Sequence, residues 1–159
     1  MQAGGVQRCL FANVNGAESQ GGHIVYATND EIGIPLAWQS HKLKRVVKST
    51  HAAETLAMVD AAESAVFLRA MILDFLGCQN KPNILPVECR TDSAALQCAV
   101  HSSTQILDKR LRIETAILRE MVARGEIDAL KWVPTCNQPA DALTKFGVKS
   151  SSILKGFPE

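Results

Sequence analysis

No run in this 159-residue chain approaches the ~18 apolar residues of a membrane span, and no basic-then-apolar leader opens it. Its five cysteines (Cys9, Cys78, Cys89, Cys98, Cys136) are odd in number and form no C-x-x-C pair. That pattern speaks against a zinc site or a disulfide framework. It favours reduced, mostly buried thiols of an intracellular protein. There is no Gly-rich phosphate loop, no internal repeat and no low-complexity tract. Charge of one sign is lacking too. The net charge is +1, so any affinity for a polyanion must come from local clusters. Neither His51 nor His101 stands in a recognisable triad or zinc-ligand pattern. These absences predict a soluble, cytoplasmic or nuclear protein with no membrane partner, expected to be a monomer.

What remains is globular. Apolar residues make up 47% and charged residues 21%, in a length that suits one domain with a real core. Residues 1–5 read as a disordered start. Three strands follow over 6–13, 22–28 and 33–39, joined by turns at Asn15-Gly16 and Asn29-Asp30-Glu31. In the third, Ile34, Leu36 and Trp38 alternate onto one face, and Trp38, like Trp132, is expected in the core. The period then changes. Residues 50–76 hold no Gly or Pro and are apolar on nearly every side, which predicts a long, largely buried helix. Ser49 or Thr50 can cap its start and Gly77 its end. A fourth strand over 84–91, a short helix over 93–100, a second long helix over 107–124 and a fifth strand over 127–133 come next. In that second long helix Leu111, Ala116, Leu118 and Met121 are the expected core positions. Pro139 suits the first position of a last helix, over 139–146, and residues 148–159 read as a tail. The order β-β-β-α-β-α-α-β-α predicts an α/β domain over 6–147. Its five-stranded mixed sheet has three antiparallel and then parallel strands, with helices on both faces.

Three acids stand out: Glu54 in the opening turns of the first long helix, Asp92 at the end of the fourth strand, and Asp141 in the first turn of the last helix. They are 38 and 49 residues apart (92−54; 141−92), so only folding can gather them. A carboxylate pocket suits Mg²⁺, which takes hard oxygen ligands and keeps several waters. Plain readings compete. Asp141 suits the helix macrodipole, and Asp92 suits the N-cap of the short helix. Glu54 is harder to explain away, because Ala52, Ala53, Leu56 and Ala57 around it are apolar.

Several blocks carry a family resemblance. They are Phe-Ala-Asn-Val-Asn-Gly with Ser-Gln-Gly-Gly (11–22), Pro-Leu-Ala-Trp-Gln-Ser (35–40) and Lys-Arg-Val-Val-Lys-Ser-Thr-His-Ala-Ala-Glu-Thr-Leu-Ala (44–57). Arg-Thr-Asp-Ser (90–93), Asp-Lys-Arg-Leu-Arg-Ile-Glu (108–114) and Trp-Val-Pro-Thr with Gln-Pro-Ala-Asp-Ala-Leu-Thr-Lys (132–145) continue it. In order and spacing the chain resembles the ribonuclease H domain of copia-type retrotransposon Pol polyproteins. The resemblance implies a ribonuclease H-like fold and hydrolysis of RNA in RNA–DNA hybrids with two Mg²⁺ or Mn²⁺ ions. It also implies a role in reverse transcription, beside the reverse transcriptase of the same polyprotein. It makes Glu54, Asp92 and Asp141 metal ligands and catalytic residues. An integrase-like transferase shares the fold, but the Ala-Asp-Ala-Leu-Thr-Lys block speaks against that reading.

The departure lies in the first strand. The family carries an aspartate three residues before Phe-Ala-Asn, where this chain has Arg8. Residues 1–8 do not resemble the family, which suggests a truncated or misjoined start. The expected enzyme is therefore weak or inactive as written, and the alternative is a catalytically dead remnant that binds nucleic acid. Asn15, Lys42, Lys44, Lys48 and Arg110 are the candidate nucleic-acid contacts, since phosphates dominate such affinity. The plain reading of the basic stretch from His41 to Lys48 is a solvated strand exit. For Arg110 and its neighbours it is a surface neutralised by an Asp108–Arg112 pair.

Overall fold

The computed structural model describes residues 2–10, 20–28, 33–42, 49–102 and 105–134, with backbone alone at 2–10, 20 and 33. The elements run β1 (Gln2–Leu10), β2 (Gln20–Thr28), β3 (Gly33–Lys42), α1 (Thr50–Phe75), β4 (Val87–Thr91), α2 (Ala94–His101), α3 (Lys109–Ala123) and β5 (Ala129–Trp132). The strands lie in one sheet in the order β3-β2-β1-β4-β5. β1–β2 and β2–β3 are antiparallel, while β1–β4 and β4–β5 are parallel. The expected helix over 139–146 and the tail over 148–159 lie outside the described residues.

Residues 1–5, read as a disordered start, need correcting: β1 begins at Gln2, and Ala3, Gly4 and Gly5 pair with both β2 and β4. Small residues looked like a frayed end, but two flanking strands satisfy their backbone, and composition cannot show that. The fourth strand also starts later than expected. Pro82–Ile84 forms a 3-10 turn with Ile84 exposed, and β4 begins at Val87.

Helix boundaries follow local chemistry. The Ser49 hydroxyl accepts from the Ala52 amide (3.2 Å), and α1 ends before Gly77, whose φ of +67° suits a residue without Cβ. Asp108 caps α3, its Oδ1 accepting from the Arg110 (2.8 Å) and Leu111 (3.1 Å) amides, and Gly125 closes that helix at φ +70°.

The core lies between one face of the sheet and three helices. Val25, Val87, Cys89 and Leu130 from the strands meet Met58 and Ala62 of α1, Leu96 of α2, and Leu118 and Met121 of α3. α1 buries mostly alanine: Ala53, Ala57, Ala61, Ala62 and Ala65 are buried, with Met58 and Val59 beside them against the strands. The expectation of a largely buried α1 is therefore too broad, since Phe67, Met71, Phe75 and Leu76 are exposed. In α3, Thr115 is buried in place of Ala116. Thr91 and the whole of β2 from Gly21 to Thr28 are buried.

β3 alternates as expected but presents the other face. Ala37 packs on the core, whereas Ile34, Leu36 and Trp38 are exposed, Trp38 at 66%. Period-2 alternation tells which residues share a face, not which face is inward. β3 is an edge strand, where Pro35 is tolerated because one side of the strand has no sheet partner to pair with. Trp132 is also exposed, at 47%. Leu118→Ala is expected to cost about 2–5 kcal/mol, because it opens a cavity in the shared core. Trp38→Ala should stay within about 0.5 kcal/mol, as surface changes do. Urea unfolding of the two variants measures both, and a large loss from Trp38→Ala would contradict this packing.

Candidate functional site

The end of β4 is fixed from three sides. The Val133 amide donates to the Thr91 carbonyl (2.8 Å), and the Trp132 indole donates to the Asp92 carbonyl (3.0 Å). The Ser93 amide donates to the Thr91 hydroxyl (3.1 Å), and the Ser93 hydroxyl accepts from the Leu96 amide (3.3 Å). Ser93, not Asp92, is thus the N-cap of α2. Asp92 is half-buried at the strand's C-terminal end. Glu54 is half-buried one turn into α1, between buried Ala53 and Thr55, and α1 packs against β1, β2 and β4.

The remaining sequence-derived positions divide. Asp141, Asn15, Lys44 and Lys48 lie outside the described residues, and only the backbone of Arg8 is described. The β1–β4 ladder ends with Gln7 opposite Thr91, and the next residues on the two strands are Arg8 and Asp92. Lys42 closes β3 and is exposed. Arg110 lines a groove of about 990 Å³ between β3, α1 and α3, together with His41, Asp60, Glu63 and Glu114. Three carboxylates against one guanidinium make that groove a poor seat for phosphates. Among the described residues, no three His, Cys, Asp or Glu side chains stand close enough together to hold a metal ion.

Two clusters escaped the sequence reading. His41, part of the basic stretch in sequence, sets its Nε2 3.5 Å from Asp60 Oδ2 on α1. His23 of β2 is buried and feels both groups. Strand alternation puts residues 23 and 25, and 37, 39 and 41, on the helix-facing side, and that signal would have found the pair. The second cluster is on the opposite face of β4. There Glu88 is buried, with Oε1 2.7 Å from Arg90 Nε and Oε2 bonded to Lys131 Nζ. Burial alone would raise its pKa, but the bonds from Lys131 and Arg90 outweigh that and hold the carboxyl below its ordinary value. Of the three described cysteines only Cys89 is buried, where burial and then the Glu88 charge push its thiol up to about 12.

No family model and no curated protein sequence matches the chain. Solved structures do. RNase H1 of the halophilic archaeon Halobacterium salinarum superposes with a TM-score of 0.63 at 18% identity, over 90% of this chain and 94% of that one. The N-terminal RNase H domain of a Mycobacterium tuberculosis protein gives 0.62 at 15%, over 98% and 95%. LC11-RNase H1, solved with an RNA/DNA hybrid, gives 0.63 at 16%, over 89% and 92%. The chain has a ribonuclease H fold. Within this fold Glu54 and Asp92 are half-buried carboxylates on elements that touch, and carboxylate oxygens are the donor chemistry that Mg²⁺ accepts.

The buried histidine of this ribonuclease H fold has a measurable consequence. Burial holds His23 below its ordinary pKa of 6.5, with the Asp60 carboxylate pulling it partly back and His41 opposing. Above that pH neither the folded nor the unfolded state is protonated there. As pH falls through 6.5 the unfolded chain takes up a proton that the folded chain resists, so stability drops. Denaturant midpoints across the mildly acidic range should fall in the native chain and fall less in His23→Gln. Equal slopes would remove His23 as the cause.

Proposed function

We propose that this chain is a ribonuclease H-type domain of copia-type retroelement origin. Its substrate is the RNA strand of an RNA–DNA hybrid, and its hydrolysis is weak or absent because Arg8 stands where an aspartate belongs. The observation that carries the reading is the corner of a ribonuclease H fold where Asp92 follows β4. That corner is pinned by Trp132, Val133 and Ser93, with the cap role filled by Ser93. Support also comes from Glu54, half-buried on a helix that packs against the same strand.

In this reading Glu54, Asp92 and Asp141 hold Mg²⁺ or Mn²⁺. Bound there, such ions would supply water activation and charge neutralisation at the leaving oxygen. The chain's own contribution is positional. The α1 cap and the alanine face fix where Glu54 starts, and the Trp132 bond fixes the Asp92 backbone. Lys42, Lys44, Lys48, Asn15 and Arg110 are proposed hybrid contacts, with Arg110 the weakest because of the carboxylates around it. The reverse transcriptase of the same polyprotein is the proposed neighbour in the element.

An arginine removes two ligand oxygens whatever its rotamer. Losing even an outer partner of a metal ligand costs about 10–100-fold, so losing a ligand costs at least that. The second reading, a remnant that binds hybrid without cutting it, is the limit of the same argument.

Cleavage of a labelled hybrid with Mg²⁺ and with Mn²⁺, alongside filter binding, tests the proposal. Arg8→Asp should cut at least about 10–100-fold faster than the native chain. Asp92→Asn in that background should abolish cutting while hybrid binding persists. Full-rate cleavage by the native chain would refute the role given to Arg8. An Arg8→Asp chain that neither cuts nor binds would refute the nuclease reading.

A further inference from the structure

Helix α1 buries its alanines and leaves its bulk outside. Phe67 (64% exposed), Met71 (53%) and Phe75 (91%) recur every four residues, so they fall on one line along the helix. At ~1.5 Å per residue that line spans about 12 Å, with exposed Leu76 at its end. Beside Phe67 a groove of about 350 Å³ runs between α1 and α3, with Val66, Ile117 and Met121 in its lining. Its charged lining is Glu63, Glu120, Glu126 and Arg124, a formal −2 (three carboxylates, one guanidinium). Arg124 is already held by Glu120 and, at 3.8 Å, by Glu126. Large apolar side chains lined up in water are an unfavourable surface and mark contact sites.

We propose that this face docks a cationic amphipathic helix of a partner protein. The four-residue repeat and the groove between two helices match the ridge of a third helix, which presents apolar residues at the same spacing. The carboxylate excess selects its charge: Lys and Arg flanking an apolar stripe would meet Glu63, Glu120 and Glu126. A second copy of this chain fits poorly, because face-to-face pairing would set the two acidic grooves against each other. Phosphate backbones are repelled for the same reason, so this surface is separate from any hybrid-binding face.

The test uses the full 159-residue chain and a synthetic helix of roughly 18 residues, about 27 Å long. It is built from Leu on one face and Lys on the other, and its counterpart carries Glu for Lys. Fluorescence anisotropy near physiological salt should show saturable binding of the Leu/Lys peptide. Binding should be at least about tenfold weaker for the Leu/Glu peptide, for Phe67→Ser/Phe75→Ser and for Glu63→Lys/Glu126→Lys, which is about 1.4 kcal/mol each. Circular dichroism and thermal unfolding should show both double variants folded like the native chain. Undiminished binding by either folded variant overturns the proposal, as does no saturable binding by the native chain. Concentration-dependent self-association that disappears in Phe67→Ser/Phe75→Ser would overturn it in favour of a homodimer.

Discussion

Contact between a face of alanines and the sheet is what the arrangement rests on. Ala53, Ala57, Ala61, Ala62 and Ala65 are each at most 1% exposed. With these methyl groups beside Met58 and Val59 in one buried layer, α1 and the strands can approach closely, and closely packed core residues leave little room to slide without a clash or a void. Larger side chains on this face would lift the helix away and carry Glu54 with it.

A second set of constraints acts on β4 itself. β4 is short, but its ends are held. At its start the Val87 amide donates to the Asp128 carboxylate (2.7 Å) and the Asp128 amide donates to the Val87 carbonyl (2.8 Å). Asp128 also approaches buried Arg69 of α1 (3.9 Å), so helix, strand and the approach to β5 share one charged joint. At its end, Trp132 and Val133 fasten the turn into α2. A carboxylate at such a point has its backbone set before any ligand arrives, the pre-organisation that ion binding and catalysis draw on.

Over the described residues sequence alone carried the element order well, because several boundaries have a local chemical signal: Ser49 as a cap, Gly77 and Gly125 as stops; it gave the α2 cap to Asp92, where Ser93 takes it, and did not see Asp108 as the α3 cap. It also put Glu54 on an opening helical turn and Asp92 at a strand end, since both facts depend on periodicity. It failed where neighbours decide. Ile34, Leu36 and Trp38 alternate correctly yet lie outside, because the edge position of β3 is a property of the sheet. Gly4 and Gly5 looked unstructured until strands on both sides supplied partners. The His23, His41 and Asp60 cluster needs two strands and a helix to exist at all, and no window along the chain contains it.

Both tryptophans of the chain are partly in water, and they differ in what surrounds them. Trp38 stands on an outer strand, whereas the Trp132 indole is bonded to the carbonyl of Asp92. The excited state of an indole responds to fields across its ring, so a change at the Asp92 backbone to which it is bonded alters its emission. The molecule therefore carries an optical gauge wired to its most functional-looking corner, and removing Trp38 would leave that gauge reading alone.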